Sequence, residues 1–207
     1  MSTIPYYHGT IVHDCWESYW RFDNVRHSAC CAHLLRELNG IIENHPEQTW
    51  AIYFKALLLQ MKKSKDRAIS ANKDFLSAQT IKKYENEYDR IIELAYSENS
   101  VKKSTQKKRG RVNRGKILSL IDRLAKHKVS VCLFLNDFYV PFDNNQAERD
   151  IRNIKTKTKV CGCFRSFDGA SEYMNIMSFI ITAHKQGYTT YKAIKFALTN
   201  RSESIFA

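Results

Sequence analysis

The segment 143–155, DNNQAERDIRNIK, combines one glutamate with a regular series of cations. If it is helical, Asn144, Glu148, Arg152 and Lys155 fall on one stripe of the helix. A carboxylate is a ligand that Mg²⁺ prefers, and cations one and two turns further along could hold the phosphates of a substrate. The alternative is an exposed helix in which the Glu148–Arg152 pair adds only a few tenths of a kcal/mol, and spacing alone favours this alternative.

A second stripe of the same helix is apolar. Ala147, Ile151 and Ile154 recur at i, i+4 and i+7, which is typical of a buried helix face. Asp143 precedes the helix and is a suitable N-cap residue. We therefore expect one face of this helix to pack inward and another to carry Glu148.

Asp14 ends a short apolar run, GTIVHD (9–14), which predicts a buried strand. A carboxylate at a strand terminus is held on a rigid element and faces solvent or substrate, which is the placement that a metal ligand needs. The alternative is a capping box, in which Asp14 and Glu17 start a helical turn. Considered singly, Asp14 fits the capping role better.

Cys30 and His33 stand at C-x-x-H spacing, which could supply two ligands to zinc. A structural zinc normally needs four ligands, and Cys161, Cys163 and the remaining histidines form no second close pattern. A buried thiol and a hydrogen-bonded histidine are therefore the expected roles. The six cysteines contain no C-x-x-C pair, so we expect free thiols rather than disulfides.

The composition indicates a globular, basic protein. The length of 207 residues suits one domain, or one domain with a sizeable insertion, and is enough to bury a core, and a hydrophobic content of 43% argues against a disordered chain. Lys and Arg exceed Asp and Glu by 33 to 21, so the net charge is +12 and nucleic acid is the expected partner. The sequence has no apolar run of about 18 residues and no leader-like start, so we expect a soluble cytoplasmic protein.

Hydrophobic periodicity predicts a mostly helical chain with two short strands, at 9–14 and 25–30. The apolar run 129–138 could be a strand or a buried helix. Residues 101–116 hold eight cations in sixteen residues and no acid, which predicts a flexible exposed loop. Helices are expected at 32–44, 47–64, 66–97 (one long helix, or two with a break near Ser77), 117–128, about 144–157, about 170–186 and 189–200.

Four segments of the chain carry recognisable motifs: HDCWESYWRFDN, CCAHLLRELNGIIE, VPFDNNQAERDIRNIK with CGCFRS, and FIITAHKQG. In this order they resemble the bacterial insertion-sequence-66-type transposases. The resemblance runs from about residue 9 to 200 and is weakest over 60–116. Its most specific parts are C-x-A-H-L-L-R-E-L and D-N-N-x-A-E-R-x-I-R.

This resemblance implies a DDE transposase, with a ribonuclease-H-like core that a helical insertion interrupts before the last catalytic helix. It implies that Asp14 is the second catalytic aspartate and Glu148 the catalytic glutamate of a site with two Mg²⁺ ions, which transfers phosphoryl groups on DNA. Cys30 and His33 match a C-x-x-H motif of many relatives, and Lys155 matches a DNA-contacting position. Asp14 and Glu148 are thus expected to meet in space.

The first catalytic aspartate of the family has no counterpart here, because thirteen residues precede Asp14 and none is acidic. We expect an α-rich α/β fold in which the ribonuclease-H-like core lacks its first strands, so that the chain is inactive alone. An uncovered strand edge would favour aggregation, or pairing with an N-terminal transposase fragment or a second copy. The expected divisions are 1–45, the core remnant; 46–140, the helical insertion; and 141–207, the Glu148 helix and closing helices.

The alternative function is a non-catalytic, basic helical module that binds nucleic acid. It predicts salt-dependent, sequence-tolerant DNA binding that survives the loss of Asp14 or Glu148. A structural interaction protein with a solvated basic face would instead bind no DNA at low salt. Besides the loop at 101–116, the expected DNA-binding residues are Arg149, Arg152, Lys155, Lys157, Lys159 and Arg165.

Overall fold

The protein, as a computed structural model, is described over residues 6–99 and 115–199. In these ranges two strands and eight α-helices form two compact units, Met1–Asn144 and Asn145–Ala207. The strands are β1 (Thr10–His13) and β2 (Arg26–Ala29), with a 3₁₀ helix (Glu17–Arg21) between them. The α-helices are α1 (Cys31–Asn44), α2 (Thr49–Ser70), α3 (Ala78–Glu98), α4 (Gly115–Lys126), α5 (Lys128–Asn136), α6 (Asn145–Cys161), α7 (Phe167–Lys185) and α8 (Thr190–Leu198).

The two strands form a small parallel sheet, in which Thr10 lies opposite Arg26 and His13 lies opposite Ala29. The connection at 14–25 reaches the dozen residues that a parallel crossover needs. Both strands become buried towards their C-terminal ends. Both predicted strands are therefore confirmed, and a helical chain with a parallel sheet agrees with an α-rich α/β class.

Helices α1 to α5 build the core of the first unit, and α2 packs against both α1 and α3. Large rings fill its centre: Trp50, Phe54, Tyr88 and Phe134 are fully buried. The Phe54 ring lies edge-on to Tyr88, with 4.9 Å between the ring centroids. Because apolar burial stabilises a fold by about 25 cal/mol per Å², the burial of these large rings stabilises the unit.

The helix predicted at 66–97 is divided, as the break near Ser77 had suggested. Residues 66–70 continue α2, and α3 begins only at Ala78. The Ser77 side chain accepts the backbone N–H of Thr80 at 3.2 Å, so a serine N-cap starts the new helix.

Two further predictions for the first unit concern the apolar run 129–138 and the basic loop at 101–116. The apolar run 129–138 is a helix, α5, which buries Val131, Cys132, Phe134 and Leu135. Of the predicted basic loop, residues 101–114 lie outside the described residues, and residues 115–116 belong to α4.

Two further predictions concern the whole chain. All six cysteines are free thiols, as predicted, and the first four along the chain are buried. Across 6–99 and 115–199, no helix is both long enough and apolar enough to cross a bilayer.

The predicted buried stripe of α6 is wrong. Ala147 and Ile151 are exposed, and Ile154 is half-buried. Among the described residues of the second unit, only Ala183 and Ala193 are buried, and they belong to α7 and α8. The apolar period of α6 is present, but the described part of this unit has too small a core to cover the stripe.

The buried hydroxyl of Tyr88 yields a stability prediction. It donates to the Leu124 carbonyl at 2.8 Å, and burial raises the pKa of Tyr88 well above its usual value, so the hydroxyl remains a donor. Tyr88→Phe should lower the free energy of unfolding by about 1–2 kcal/mol, because a buried carbonyl loses its partner. Urea denaturation followed by circular dichroism measures this change.

The matched control is Tyr53→Phe, because Tyr53 is 50% exposed on α2. Its unfolding free energy should stay within about 0.5 kcal/mol of the unmodified chain. If Tyr88→Phe is as stable as this control, the assigned hydrogen bond contributes nothing.

Candidate active site

Asp14 directly follows β1 and is exposed at the C-terminal end of the sheet. Its Oδ1 accepts the backbone N–H of Trp16 at 3.1 Å, which closes a turn of the Asx type. The capping-box alternative is wrong, because Trp16 occupies the N-cap position of the 3₁₀ helix and no side chain caps it. The carboxylate is therefore oriented by the backbone while it stays accessible.

The turn that carries Asp14 is held by two histidines. Cys15 has a left-handed backbone, with φ of 64°, and its N–H donates to His13 Nδ1 at 3.1 Å. His13 Nε2 lies 3.1 Å from His27 Nδ1, and His27 Nε2 lies 3.0 Å from the Phe22 carbonyl. A chain of hydrogen bonds thus runs from the turn after β1, through β2, to the loop between the strands.

These contacts determine the tautomers of both rings. A carbonyl can only accept, so His27 carries its hydrogen on Nε2. An amide N–H can only donate, so His13 Nδ1 carries no hydrogen. His13 then donates from Nε2 to the bare Nδ1 of His27. Burial above all lowers the pKa of His13 to about 4, so the neutral ring required here is stable at physiological pH.

The segment 137–144, which precedes α6, is anchored along its length. Asp137 forms an ion pair with Arg26 of β2 at 2.6 Å, and Arg26 lowers the pKa of this carboxyl. Lys65 of α2 is buried, and its Nζ donates to the Val140 carbonyl at 2.6 Å. Burial lowers the pKa of Lys65. A buried cation is therefore used to hold a backbone carbonyl.

The end of this segment meets the ends of both strands. The Cys31 N–H donates to the Phe142 carbonyl at 3.0 Å. The Asn144 N–H donates to Cys30 Sγ at 3.2 Å, and Asn144 Nδ2 donates to the Val12 carbonyl at 3.0 Å. The residue that immediately precedes α6 is thereby bound to β1 and to the residue that follows β2.

The C-x-x-H pair lies at the start of α1. Cys30 is fully buried at the N-cap position, and His33 is half-buried in the first turn. Because Cys30 Sγ accepts the Asn144 N–H, the thiol has a structural contact of its own. The expected buried thiol is confirmed.

Glu148 lies in the first turn of α6 and is half-buried. Since α6 begins at Asn145, the N-cap position falls on Asn144, and the prediction of Asp143 as the N-cap is wrong by one residue. Asp14 belongs to the first unit and Glu148 to the second.

The predicted DNA-binding residues are all exposed, but they do not share one face of α6. At 3.6 residues per turn, Arg152, Lys155 and Lys159 follow Glu148 along one stripe. Lys157 lies elsewhere on the helix, and its Nζ is 4.2 Å from the centroid of the Tyr173 ring. Arg149 is also off this stripe, and Arg165 lies between α6 and α7.

The comparisons with known proteins bear on this arrangement. A family model described as "Transposase IS66 family" matches residues 2–172, a range that includes both strands, Asp14 and all of α6. The chain belongs to the IS66 family of transposases. No curated protein and no solved structure matches it. Membership of the IS66 family supports a transposase-type function with DNA as substrate, and it suggests a divalent metal.

Sequence reasoning missed the pairing of His13 with His27 and the anchoring of segment 137–144 in this IS66 chain. A signal for the first was present, because each predicted strand contains one histidine and parallel pairing can bring the two together. No comparable signal marked the partners of Asn144, since Val12 is 132 residues away.

The histidine pair yields a spectroscopic prediction. In ¹⁵N NMR spectra at neutral pH, His13 and His27 should both appear as neutral Nε2–H tautomers, because no other assignment satisfies all three hydrogen bonds. His13 should stay neutral at about pH 5, since its pKa is about 4. A charged His13 at neutral pH would contradict the arrangement.

Proposed function

We propose that this IS66 chain contributes two carboxylates, Asp14 and Glu148, to a metal site that transfers phosphoryl groups at DNA ends. The observation that carries the proposal is the hydrogen bond from Asn144 to the Val12 carbonyl. Val12 lies two residues before Asp14 on β1, and Asn144 lies four residues before Glu148. Each carboxylate is thus separated by only a short, regular stretch of backbone from the same anchor.

The chemistry of these donors suits Mg²⁺. Carboxylate oxygens are hard ligands, and Asp14 is exposed at the end of a strand that fixes its position. The Cys30 thiol is a soft donor, which suits Mg²⁺ poorly, so we do not assign it as a Mg²⁺ ligand. Two Mg²⁺ ions, when bound, would activate water or a terminal 3′-hydroxyl and stabilise the leaving oxygen.

We infer that a third carboxylate comes from outside residues 1–207, in the same polypeptide or in another one. Two closely spaced dications need more negative charge than two carboxylates supply. Residues 1–13 contain no acid that could act as the family's first aspartate. The 207-residue chain alone is then inactive in strand transfer, and an N-terminal transposase segment or a second copy would complete the site.

We also propose that β1, β2 and α6 are the second half of a ribonuclease-H-like core. The order of a strand with Asp14, a parallel neighbour, a helical segment and a helix with Glu148 supports this assignment. The family's action on DNA, together with six free thiols, supports a cytoplasmic location.

We propose that the stripe of α6 beyond Glu148 binds the DNA backbone. Arg152, Lys155 and Lys159 are exposed and extend over about 10 Å of helix, the length of three base-pair steps. Arg149, Lys157 and Arg165 would add contacts from other directions. Cations in line with a metal-binding carboxylate would hold phosphates of the strand whose end reacts.

The metal site can be tested by Mn²⁺ titration, with the free ion followed by electron paramagnetic resonance. Asp14→Asn and Glu148→Gln should each weaken Mn²⁺ binding by about tenfold or more, because each removes one of two charged ligands. Asp74→Asn and Glu172→Gln are matched controls, since both residues are exposed and lie away from the proposed ligands in sequence. They should leave the affinity unchanged.

Equal Mn²⁺ binding by all four variants would contradict the metal site. If DNA binding then persisted, the non-catalytic nucleic-acid-binding module would be the correct function. Mg²⁺-dependent joining of DNA ends by the unmodified 207-residue chain, abolished in Glu148→Gln, would show that no carboxylate from outside is needed.

The basic stripe can be tested by the salt dependence of duplex binding. Replacing Arg152, Lys155 and Lys159 by Gln should reduce the slope of log K against log salt by about 2–3, because each phosphate contact contributes about 0.9. Fluorescence anisotropy over a range of salt concentrations gives this slope.

The control replaces three exposed lysines of the first unit, Lys63, Lys73 and Lys83, by Gln, so that the net charge falls equally. Its slope should change by less than about 1. Equal loss in both triple variants would mean that overall charge, and not this stripe, binds DNA.

A further inference from the structure

A cleft of about 680 Å³ opens beside Asp14 in the first unit. The turn at 14–17 and Trp20 form one wall, and residues 119–127, from α4 and the residue after it, form the other. Ligand-binding clefts commonly measure about 300–1,000 Å³, so this one can hold a group the size of a nucleotide. Of the residues that line this cleft, the proposed metal site uses only Asp14.

Two tryptophans give the cleft an aromatic lining. Trp20 is fixed, because its ring stacks on His127 with 3.7 Å between centroids and its Nε1–H donates to the Cys15 carbonyl at 3.4 Å. Trp16 is 67% exposed although its backbone is held by Asp14. An exposed indole on a fixed backbone offers a stacking surface that needs little further ordering.

The opposite wall carries two cations one turn apart on α4, together with the carboxylate of Asp122, and the first wall carries Asp14 and Glu17, so any phosphate has to lie at the cationic end of the cleft. Lys126 is exposed near the C-terminal end of this helix. Arg123 pairs with Glu37 through its terminal nitrogen, while its buried Nε has no hydrogen-bond partner among the described residues. Cations opposite an exposed ring match a ligand that has both a planar base and a phosphate.

We propose that this cleft binds an unpaired nucleotide of a DNA strand, with its base against Trp16 and a backbone phosphate at Lys126. The inference rests on the proposed function only in taking DNA as the partner. A base within a duplex is stacked on both faces and cannot lie against an indole in a concave site, whereas an unpaired base can. The cleft would thus hold a strand end beside Asp14.

The test measures binding of three labelled DNAs to the 207-residue chain in EDTA: a flush-ended duplex, the same duplex with a short unpaired 3′ extension, and that extension with abasic sugars. Trp16→Ala should weaken binding of the extended duplex about five- to a hundredfold, the range for loss of one stacked base. Flush and abasic DNAs should bind Trp16→Ala as they bind the unmodified chain. Trp16→Phe should retain most of the affinity for the extension.

Tyr139→Ala is the matched control, because Tyr139 is an exposed aromatic residue of the same unit. It should bind all three DNAs normally, and Lys126→Gln should weaken the extended duplex more than Lys63→Gln does. Equal loss on flush DNA, or no loss in Trp16→Ala, would overturn the proposal. So would binding of free deoxyadenosine monophosphate as tight as that of the extended duplex.

The result of this DNA-binding test does not depend on whether the proposed metal site exists. Because the measurement is made in EDTA, the effect of Trp16→Ala on the extended duplex is observed without a bound metal ion. If Mn²⁺ binding is independent of Asp14 while the Trp16 effect on extended DNA persists, the metal site fails and the nucleotide cleft stands.

Discussion

A sheet of two strands cannot satisfy its own backbone, and this constraint organises the first unit. Buried carbonyl and N–H groups at the strand ends need partners from elsewhere, because an unpaired one costs about 1–3 kcal/mol. Segment 137–144 provides them: Asn144 donates to the Val12 carbonyl and the Phe142 carbonyl accepts from Cys31. The hydrogen bonds that the sheet requires therefore fix the position of Asn144, the residue that precedes α6.

At the same end of the sheet, the residue next to Asp14 has a strained backbone conformation. A left-handed conformation costs a residue such as Cys15 about 1 kcal/mol, and it persists only where the surroundings enforce it. Here His13 accepts the Cys15 N–H and is itself positioned by His27. A neutral, buried histidine is suited to this task, because it can accept on one nitrogen and donate from the other.

Local pattern predicted the elements that depend on local contacts. These include both strands, the break near Ser77 and the helix that carries Glu148. The hydrophobic period could not show whether 129–138 is a strand or a helix, because a segment that is buried on most sides has no polar face. It was also misleading for Ile151, since an apolar stripe predicts burial only where a core exists to cover it. The partner of Asn144 lay too far away in sequence to be predicted.

The two kinds of contact proposed between this IS66 chain and DNA act over different distances. Attraction between cations and phosphates acts over a Debye length of about 8 Å, and it does not depend on base identity or pairing. Stacking on an indole acts only at contact and requires a free base face. A charged helix alone would bind any stretch of duplex, and an aromatic cleft alone would capture DNA slowly. Because the cleft adjoins Asp14, an aromatic contact there would favour strand ends over continuous duplex beside the proposed metal ligand.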